Sequence, residues 1–166
     1  LVSHEEQRVL RALGEIADVE HKDVLVWSST IGISSQQGEQ TCLEALDILG
    51  KTLEPTILIL LDGHLEFKDE KIIRRIRDLS ASFPKQGHAL IFLAPILVIP
   101  QALEKVISSF DVPLPDAEEG AKLLRILCQN QGINIEEDLF QRFVQGALGL
   151  TEAEMKRMYS RISLVG

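Results

Sequence analysis

The residues T-I-L-I-L-L-D-G-H, from Thr56 to His64, constrain the fold of this chain more than any other stretch. Thr56 to Leu61 is an unbroken β-branched and aliphatic run, whereas a strand with one face in water alternates polar and apolar residues. Such a run is typical of a strand covered on both faces, as in the parallel sheet of an α/β layer fold. Open α/β sheets place their catalytic and metal-binding groups at the carboxyl ends of such strands. Asp62 is therefore the first candidate site residue.

Helices and strands alternate up to about residue 114. Ser3 and Glu6 have capping-box spacing and predict a helix start, and Gly50 is suited to end the second helix. Apolar periodicity predicts the other elements of this region. They are a strand Asp23–Ser28, a loop 29–40, helices at about 39–49, 68–82 and 100–107, a doubly buried strand His88–Leu93 and an extended segment Ser109–Leu114.

From Pro115 onward the pattern is helical throughout. Asp116 with Glu119, and Thr151 with Glu154, have the spacing of capping boxes and open the first and third of three predicted helices. The last helix carries a stripe that favours core packing over a ligand site, namely Met155, Met158, Tyr159 and Ile162. We therefore expect an α/β domain over residues 1–114 and a three-helix lid over residues 115–166.

Charge and cysteine content exclude several classes of function. The net charge of −8 and the isoelectric point near 5.0 argue against a nucleic-acid binder, which needs a basic face for phosphates. No apolar run is long enough to span a membrane. Cys42 and Cys128 stand alone and are interpreted as buried thiols in a reducing compartment.

Most of the short motifs that resemble catalytic or binding sites lie in a structural context that does not suit that function. Gly50-Lys51-Thr52 resembles the tail of a phosphate-binding loop, but the first glycine of that motif is replaced by Ala45, and the motif follows a helix. A helix end presents carbonyls to a phosphate, not N–H groups. His64 either lines a cleft with Asp62 or is a solvated side chain. The basic residues on the helix after Asp62 form either a solvated face or a contact for an acidic partner; they are Lys71, Arg74, Arg75 and Arg77.

The ordered set of motifs resembles an AAA+ ATPase module. T-I-L-I-L-L-D looks like the Walker B strand, H-A-L-I-F-L-A-P like the strand that carries the sensor-1 residue, and G-L-T-E-A-E-M like the opening of a late lid helix. More narrowly, S-H-E-E-Q-R-V-L, L-D-G-H, I-F-L-A-P-I-L-V-I-P and D-V-P-L-P-D together resemble the N-terminal region of one family. That family is the AAA-type ATPases encoded by a hypothetical chloroplast reading frame and by cyanobacterial genomes.

The resemblance implies a three-layer, P-loop-NTPase-like fold with a parallel sheet, followed by a small three-helix lid. It implies a second, intact ATPase module in the same polypeptide, which would bind ATP and magnesium, and a location in cyanobacterial cytoplasm or plastid stroma. The AAA+ sheet also has the strand before the first helix at its centre, and here only Leu1-Val2 represents that strand. We therefore expect further residues upstream of Leu1, and a more stable chain when about ten of them are restored, since an incomplete central strand leaves its neighbours unpaired.

Four positions depart from a working ATPase. The phosphate loop falls at Ser3–Glu6, which has two carboxylates and no glycine. Gly63 follows the vestigial Walker B residue Asp62, where the resembled modules carry a glutamate. The sensor-1 position falls at Ala94 or Pro95, and Ser109 stands where an arginine finger precedes Phe110. Because phosphate-binding groups and arginine fingers supply most of the catalytic power of such enzymes, these departures indicate a degenerate domain.

Three hypotheses follow. The first is a non-catalytic, AAA+-like regulatory domain that contacts an adjacent ATPase module or other protein subunits, with no cofactor of its own. The second is an enzyme with a residual nucleotide or metal site built on Asp62 and His64. The third is a degenerate subunit of the clamp-loader type, which would act on DNA through its complex.

Overall fold

The computed structural model describes residues 1–36 and 38–161. It divides into two compact units, residues 1–112 and residues 113–166. The first unit contains helices α1 (Glu6–Val19), α2 (Cys42–Lys51), α3 (Glu70–Ser80) and α4 (Phe83–Gln86), and strands β1 (Asp23–Ser28), β2 (Gly32–Ile33), β3 (Thr56–Leu61) and β4 (Ala89–Leu93). The second contains helices α5 (Ala117–Gln131), α6 (Glu137–Gly146) and α7 (Glu152–Ser160). No helix among the described residues is long and apolar enough to cross a membrane.

The sheet has the order β2-β1-β3-β4, and its three longer strands are parallel, as predicted. Asp23 of β1 lies opposite Thr56 of β3, and Ile57 of β3 lies opposite Ala89 of β4. β3 is buried along nearly all its length, and its side chains alternate between two cores. Leu58 and Leu60 pack with α2 and α3, whereas Ile57 and Ile59 pack with α1. The expected three-layer architecture is confirmed.

The strand β2 lies within residues 29–40, for which the sequence predicts a loop. Ile33 pairs antiparallel with Trp27 of β1, which makes a short hairpin at the edge of the sheet. Gln40 holds the hairpin: its side-chain oxygen accepts the Ile33 N–H at 3.0 Å, and its carbonyl accepts the Trp27 indole N–H at 2.7 Å. Gly32, at φ +75°, lies so close to Gln40 that a Cβ would meet its backbone nitrogen at 2.6 Å.

Two helix termini differ from the prediction. The second helix begins after Thr41, whose hydroxyl accepts the Glu44 N–H while the Glu44 carboxylate accepts the Thr41 N–H, a capping box that the sequence analysis did not identify. Gly50 does not end that helix, which continues to Lys51. Gly50 instead allows close packing, since a Cβ there would meet Leu79 Cδ2 of α3 at 2.7 Å.

Other boundaries also differ. The predicted helix over 68–82 is the slightly shorter α3, which follows a 3₁₀ turn (Gly63–Lys68) and precedes α4, and Ile72, Ile76 and Leu79 bury its inner face as expected. The predicted helix over 100–107 is only a 3₁₀ turn (Gln101–Leu103). β4 is not doubly buried, because only Leu93 in it is fully buried.

The three helices of the second unit form a core of their own. Capping boxes at Asp116/Glu119 and Thr151/Glu154 open α5 and α7, as predicted. Met155 and Tyr159 are fully buried in this core, which confirms their structural role, and Ile162 lies outside the described residues. The core consists of Leu124, Phe140, Val144, Ala147, Met155 and Tyr159.

Candidate functional site

The carboxyl ends of the parallel strands bring the candidate residues to one edge of the sheet. Asp62 follows β3 and Ala94 follows β4. Val2 forms parallel bridges with both Ala94 and Asp111, so Leu1-Val2 lies between β4 and the segment at Asp111. The connection from Val2 to α1, where a phosphate loop would be, therefore lies at the same edge. We call this surface the carboxyl edge.

At the phosphate-loop position the chain places a carboxylate of its own. The Glu5 side chain is 4% exposed, and its Oε2 lies 3.0 Å from Nη1 of Arg8, one turn along α1. Glu5 is also the residue that precedes the first turn of α1. The free N–H groups and the positive end of the helix dipole at such a terminus favour an anion. A buried carboxylate of the chain itself therefore lies at the terminus where such a loop would hold a phosphate.

The predicted capping box at Ser3 and Glu6 is wrong. The Ser3 N–H donates to the Ala94 carbonyl at 2.9 Å, so it is not available to the Glu6 carboxylate. The Ser3 hydroxyl accepts the Glu5 N–H at 3.0 Å, and α1 begins at Glu6 without a side-chain cap. The sheet thus fixes the entry to α1 and leaves a tight connection in the place of a glycine-rich loop.

Asp62 is exposed and has a left-handed backbone conformation, with φ 51°. Its N–H donates to the Leu93 carbonyl at 2.9 Å, and its carbonyl accepts the Leu65 N–H at 2.9 Å. A non-glycine residue in this region costs energy and persists only where its surroundings hold it, which here means the end of β4 and the following turn. The carboxylate is therefore accessible at the carboxyl edge.

Gly63, to which the resemblance assigns the position of the Walker B glutamate, is buried. A Cβ at this residue would lie 2.8 Å from Leu60 Cβ and 3.0 Å from Phe92 Cδ1. Cβ atoms do not approach other heavy atoms so closely, and Leu60 Cβ is fixed to the central strand. A side chain at this position therefore requires Leu60, Phe92 or the turn after Asp62 to shift.

His64 is half-buried and lines a cavity of about 30 Å³ with apolar side chains, among them Phe67, Phe92 and Ile96. Its Nδ1 is buried and has no hydrogen-bond partner. The His64 ring therefore packs in an apolar cavity while the Asp62 carboxylate is exposed. Among the described residues, no group of three or more His, Cys, Asp or Glu side chains could hold a metal ion.

Ala94 and Ser109 are the residues at the positions that the resemblance assigns to sensor 1 and to the arginine finger. The Ala94 N–H donates to the Leu1 carbonyl at 3.2 Å, and its side chain is a buried methyl. Ser109 lies beside the His64 cavity. The residues that follow Ala94 and Pro95 make the carboxyl edge apolar, because Ile96, Leu97 and Val98 are 55%, 58% and 44% exposed.

The basic residues of α3 are partly neutralised. Arg74 Nη2 lies 2.6 Å from Asp78 Oδ1, and Arg75 Nε lies 2.7 Å from Asp47 Oδ1 of α2. Exposed pairs of this kind contribute little to stability. They nevertheless reduce the charge available to an acidic partner, so this face offers a weaker anion-binding surface than its composition indicates.

The two cysteines differ in burial. Cys42 is buried, and burial, with smaller contributions from Glu66 and Asp69, raises the pKa of its thiol to about 12. Cys128 is half-buried, and burial raises the pKa of its thiol as well. The prediction of a buried thiol is confirmed for Cys42 and only partly for Cys128. Neither thiol has the depressed pKa that a nucleophile or metal ligand needs.

Comparison with known proteins agrees with the resemblance found in the sequence. The family model for the N-terminal domain of SpoVK-like AAA ATPases matches residues 1–112. The AAA domain-containing protein ycf46 of Guillardia theta is 27% identical over 168 residues, which cover 96% of this chain and 33% of that protein. The ycf46 protein of Trieres chinensis is 24% identical over 122 residues, which cover 72% of this chain and 24% of the relative.

This chain thus spans about one third or less of the length of these relatives. Among solved structures, a single-residue mutant of RuvB from Thermotoga maritima superposes with a TM-score of 0.59 at 13% identity. The superposition covers 89% of this chain and 48% of RuvB. At that identity the likeness shows the fold alone, and it confirms the predicted AAA+ architecture.

Proposed function

The chain belongs to the family of SpoVK-like AAA ATPase N-terminal domains, and from that premise we propose that it is a non-catalytic, AAA+-like domain that acts by protein–protein contact. Its partner is an ATPase module of the same polypeptide, and its role is to regulate how that module assembles or selects other proteins. ATP and magnesium are bound by that module. The polypeptide works in cyanobacterial cytoplasm or plastid stroma.

The observation that carries this proposal is the buried carboxylate at the start of α1. The buried Glu5 carboxylate forms an ion pair with the partly buried Arg8 where a working AAA+ module would cradle phosphates. Removal of Arg8 would take a partner away from this buried charge, which is costly. The close packing around Gly63 supports the same conclusion, since no glutamate fits at that position.

The carboxyl edge is the surface through which the domain would act. Ile96, Leu97 and Val98 lie between Pro95 and Pro100 and form an exposed apolar segment in the place of the sensor loop. Leu65, which follows Asp62 in the chain, is also 53% exposed. Contiguous exposed apolar residues mark contact surfaces. The proposed partner, an ATPase module in the same polypeptide, is suggested by the relatives, because two thirds or more of their length lies beyond the region that matches this chain.

The net charge of −8 supports a protein partner and not a nucleic acid. A domain that contacts DNA or RNA needs a basic face for phosphates. In the described chain two of the arginines of α3 are paired with aspartates. Direct nucleic-acid contact is therefore disfavoured.

One observation favours a second candidate, a residual nucleotide or cation contact at Asp62. Its strained backbone and exposed carboxylate lie at the edge where α/β sheets bind ligands. A single carboxylate without a second ligand binds a cation weakly. Magnesium-dependent ATP binding that is lost in Asp62→Ala would favour this candidate.

The test of the proposal uses the polypeptide that contains this chain together with its ATPase module. Leu97→Asp puts a charge into the apolar segment of the carboxyl edge and should change the ATP hydrolysis rate several-fold or alter the assembly state. Leu53→Asp is the matched control, since Leu53 is 92% exposed and lies before β3, at the opposite edge of the sheet. An unchanged rate and assembly state in Leu97→Asp, or equal effects of the two variants, would refute contact through this surface.

A further inference from the structure

Exposed apolar residues follow each of the three parallel strands at the carboxyl edge. Ile31 lies in the turn of the β1–β2 hairpin, at the end of β1, and is 61% exposed. Leu65 follows β3, and the exposed residues 96–98 follow β4. Because β1, β3 and β4 are neighbours in that order, these residues form a row across the strand ends. We call this row the apolar strip.

The connections that follow the strands at this edge are acidic. Together they contain five acidic residues and a single basic one, Lys68. They are residues 3–5, 29–41, 62–69 and 94–100. The first turns of α1, α2 and α3 add Glu6, Glu44 and Glu70, against Lys71 in α3. The apolar strip is therefore flanked by an excess of carboxylates.

The opposite edge of the sheet has no such excess. Its connections contain two acidic residues and two lysines. They are residues 20–22, 52–55 and 81–88. The excess at the carboxyl edge also remains after pairing within it, because only Glu5 of the five acidic residues lies against an arginine, Arg8. The negative charge is thus concentrated at the edge that carries the apolar strip.

The carboxylates at this edge come together from different elements. Burial is the main cause of the raised pKa of the Cys42 thiol at the start of α2, and the charges of Glu66 and Asp69, from the connection after β3, raise it further. The Asp69 carboxylate also accepts the Lys71 N–H at 2.8 Å and so caps α3. A carboxylate that caps a helix keeps its negative charge, so capping leaves the edge acidic.

The spacing of the apolar strip favours a helix as its occupant. Neighbouring strands lie about 4.8 Å apart, so three strand ends extend over about 10 Å. Apolar side chains three or four residues apart on one face of a helix are separated by about 5–6 Å, so two helical turns match this length. An extended segment would instead gain its affinity from main-chain pairing along a strand, which the ends of strands do not offer.

We propose, as a refinement that rests on the proposed function, that the carboxyl edge binds an amphipathic helix of the ATPase module. The apolar stripe of this helix packs on the apolar strip, and the residues beside the stripe are Lys and Arg. Charge complementarity selects them, because their side chains meet carboxylates such as Asp62 and Asp69. Burial of the apolar residues supplies most of the affinity, and the charges set the choice of partner.

The test uses three synthetic helical peptides of about 14 residues, each titrated onto this chain and followed by the fluorescence anisotropy of a label on the peptide. The first has a leucine stripe with lysine on the other positions. The second keeps the stripe and has glutamate in place of lysine, and the third keeps the lysines and has alanine in place of leucine. We expect the first peptide to bind at least about tenfold more tightly than either of the others.

Variants of this chain locate the binding. Leu97→Ser should weaken binding of the first peptide about tenfold or more, because an apolar contact is lost. Asp62→Asn together with Asp69→Asn should weaken it about fivefold at low ionic strength, and asparagine suits both the left-handed backbone at residue 62 and the helix cap at residue 69. The matched control is Glu20→Gln together with Glu54→Gln, which removes the same charge at the opposite edge and should change the affinity less than about twofold.

Equal binding of the glutamate peptide would overturn this proposal, because charge would then not select the partner. Equal binding of the alanine peptide, equal effects of the two double variants, or no binding of any peptide would overturn it as well. These outcomes are separate from failure of the proposed function. If Leu97→Asp still changed ATP hydrolysis in the whole polypeptide, the carboxyl edge would remain a contact surface, and only the chemistry assigned to its partner would be wrong.

Discussion

Gly63→Ala tests whether the packing around Gly63 leaves room for a side chain at this position. The added Cβ would lie 2.8 Å from Leu60 Cβ and 3.0 Å from Phe92 Cδ1, against the ~3.5–4.0 Å of ordinary carbon contacts. Leu60 Cβ is fixed by the central strand, so the Phe92 ring or the turn after Asp62 has to move. Overpacking of this kind costs about 1–3 kcal/mol, which lowers Tm by roughly 3–10 °C in a chain of this size.

The measurement is urea unfolding followed by the fluorescence of Trp27, the only tryptophan, which is buried in the core of the first unit. The signal reports the unit that contains Gly63, even if the second unit unfolds separately. Gly14→Ala is the matched control, because Gly14 lies inside α1 and a Cβ there meets nothing within 4 Å. That change should stabilise the helix by about 0.5–1 kcal/mol.

A double substitution shows whether Phe92 is the obstacle. Phe92→Leu removes the ring edge that a Cβ at Gly63 would meet, so the cost of Gly63→Ala should be smaller in the Phe92→Leu background. Gly63→Glu should be at least as destabilised as Gly63→Ala and should not gain ATP hydrolysis. The steric argument fails if Gly63→Ala is as stable as the parent chain.

Three further predictions concern buried polar groups. His88→Ala should destabilise the first unit by about 2–4 kcal/mol in the same urea assay, while His4→Ala changes little, because the His88 ring accepts the Thr56 N–H at 3.1 Å in a buried site. Tyr159→Phe should leave the thermal unfolding midpoint of the second unit unchanged or raise it, since the buried Tyr159 hydroxyl has no hydrogen-bond partner. A loss of stability above about 1 kcal/mol would show that this hydroxyl is hydrogen-bonded. At pH 8 the native Cys42 thiol, with its pKa raised to about 12, should stay protonated and react with a thiol reagent only after denaturant is added; rapid labelling of the native chain would contradict its burial.

The sequence was sufficient where a pattern reports burial directly. The run Thr56–Leu61 predicts a strand covered on both faces, and it is the most buried strand of the sheet after the two-residue β2. The same inference overestimated the burial of the β4 side chains. Several of them line an open cavity, and no local sequence pattern reports such a cavity. The strand β2 itself is too short for a periodic signal.

Capping shows how tertiary contacts override a local motif. Thr41 with Glu44 forms a capping box whose signal is present in the sequence, although the sequence analysis did not use it. Ser3 with Glu6 has the same spacing and forms no box, because the sheet already uses the Ser3 N–H. A capping-box pattern therefore predicts a cap only where the N–H of the capping residue itself is not already bonded to the sheet.

The sequence showed which residue types stand at the candidate site, but not which contacts they make. The absence of glycine at Ser3–Glu6 was evident in the sequence, and so was Gly63 in place of a glutamate. The burial of Glu5 against Arg8 and the contact between Gly63 and Phe92 depend on where the strands place these residues. Under the proposed function, those contacts would make the phosphate chemistry difficult to restore.

We propose that this chain has no nucleotide site, and calorimetric titration with ATP and magnesium can show whether it binds one. Asp62→Ala is titrated in parallel, because the resemblance assigns the Walker B aspartate to Asp62, whose side chain is exposed at the carboxyl edge. We predict no heat beyond dilution for either protein. Micromolar binding to the parent chain that disappears in Asp62→Ala would contradict the account and establish a phosphate site.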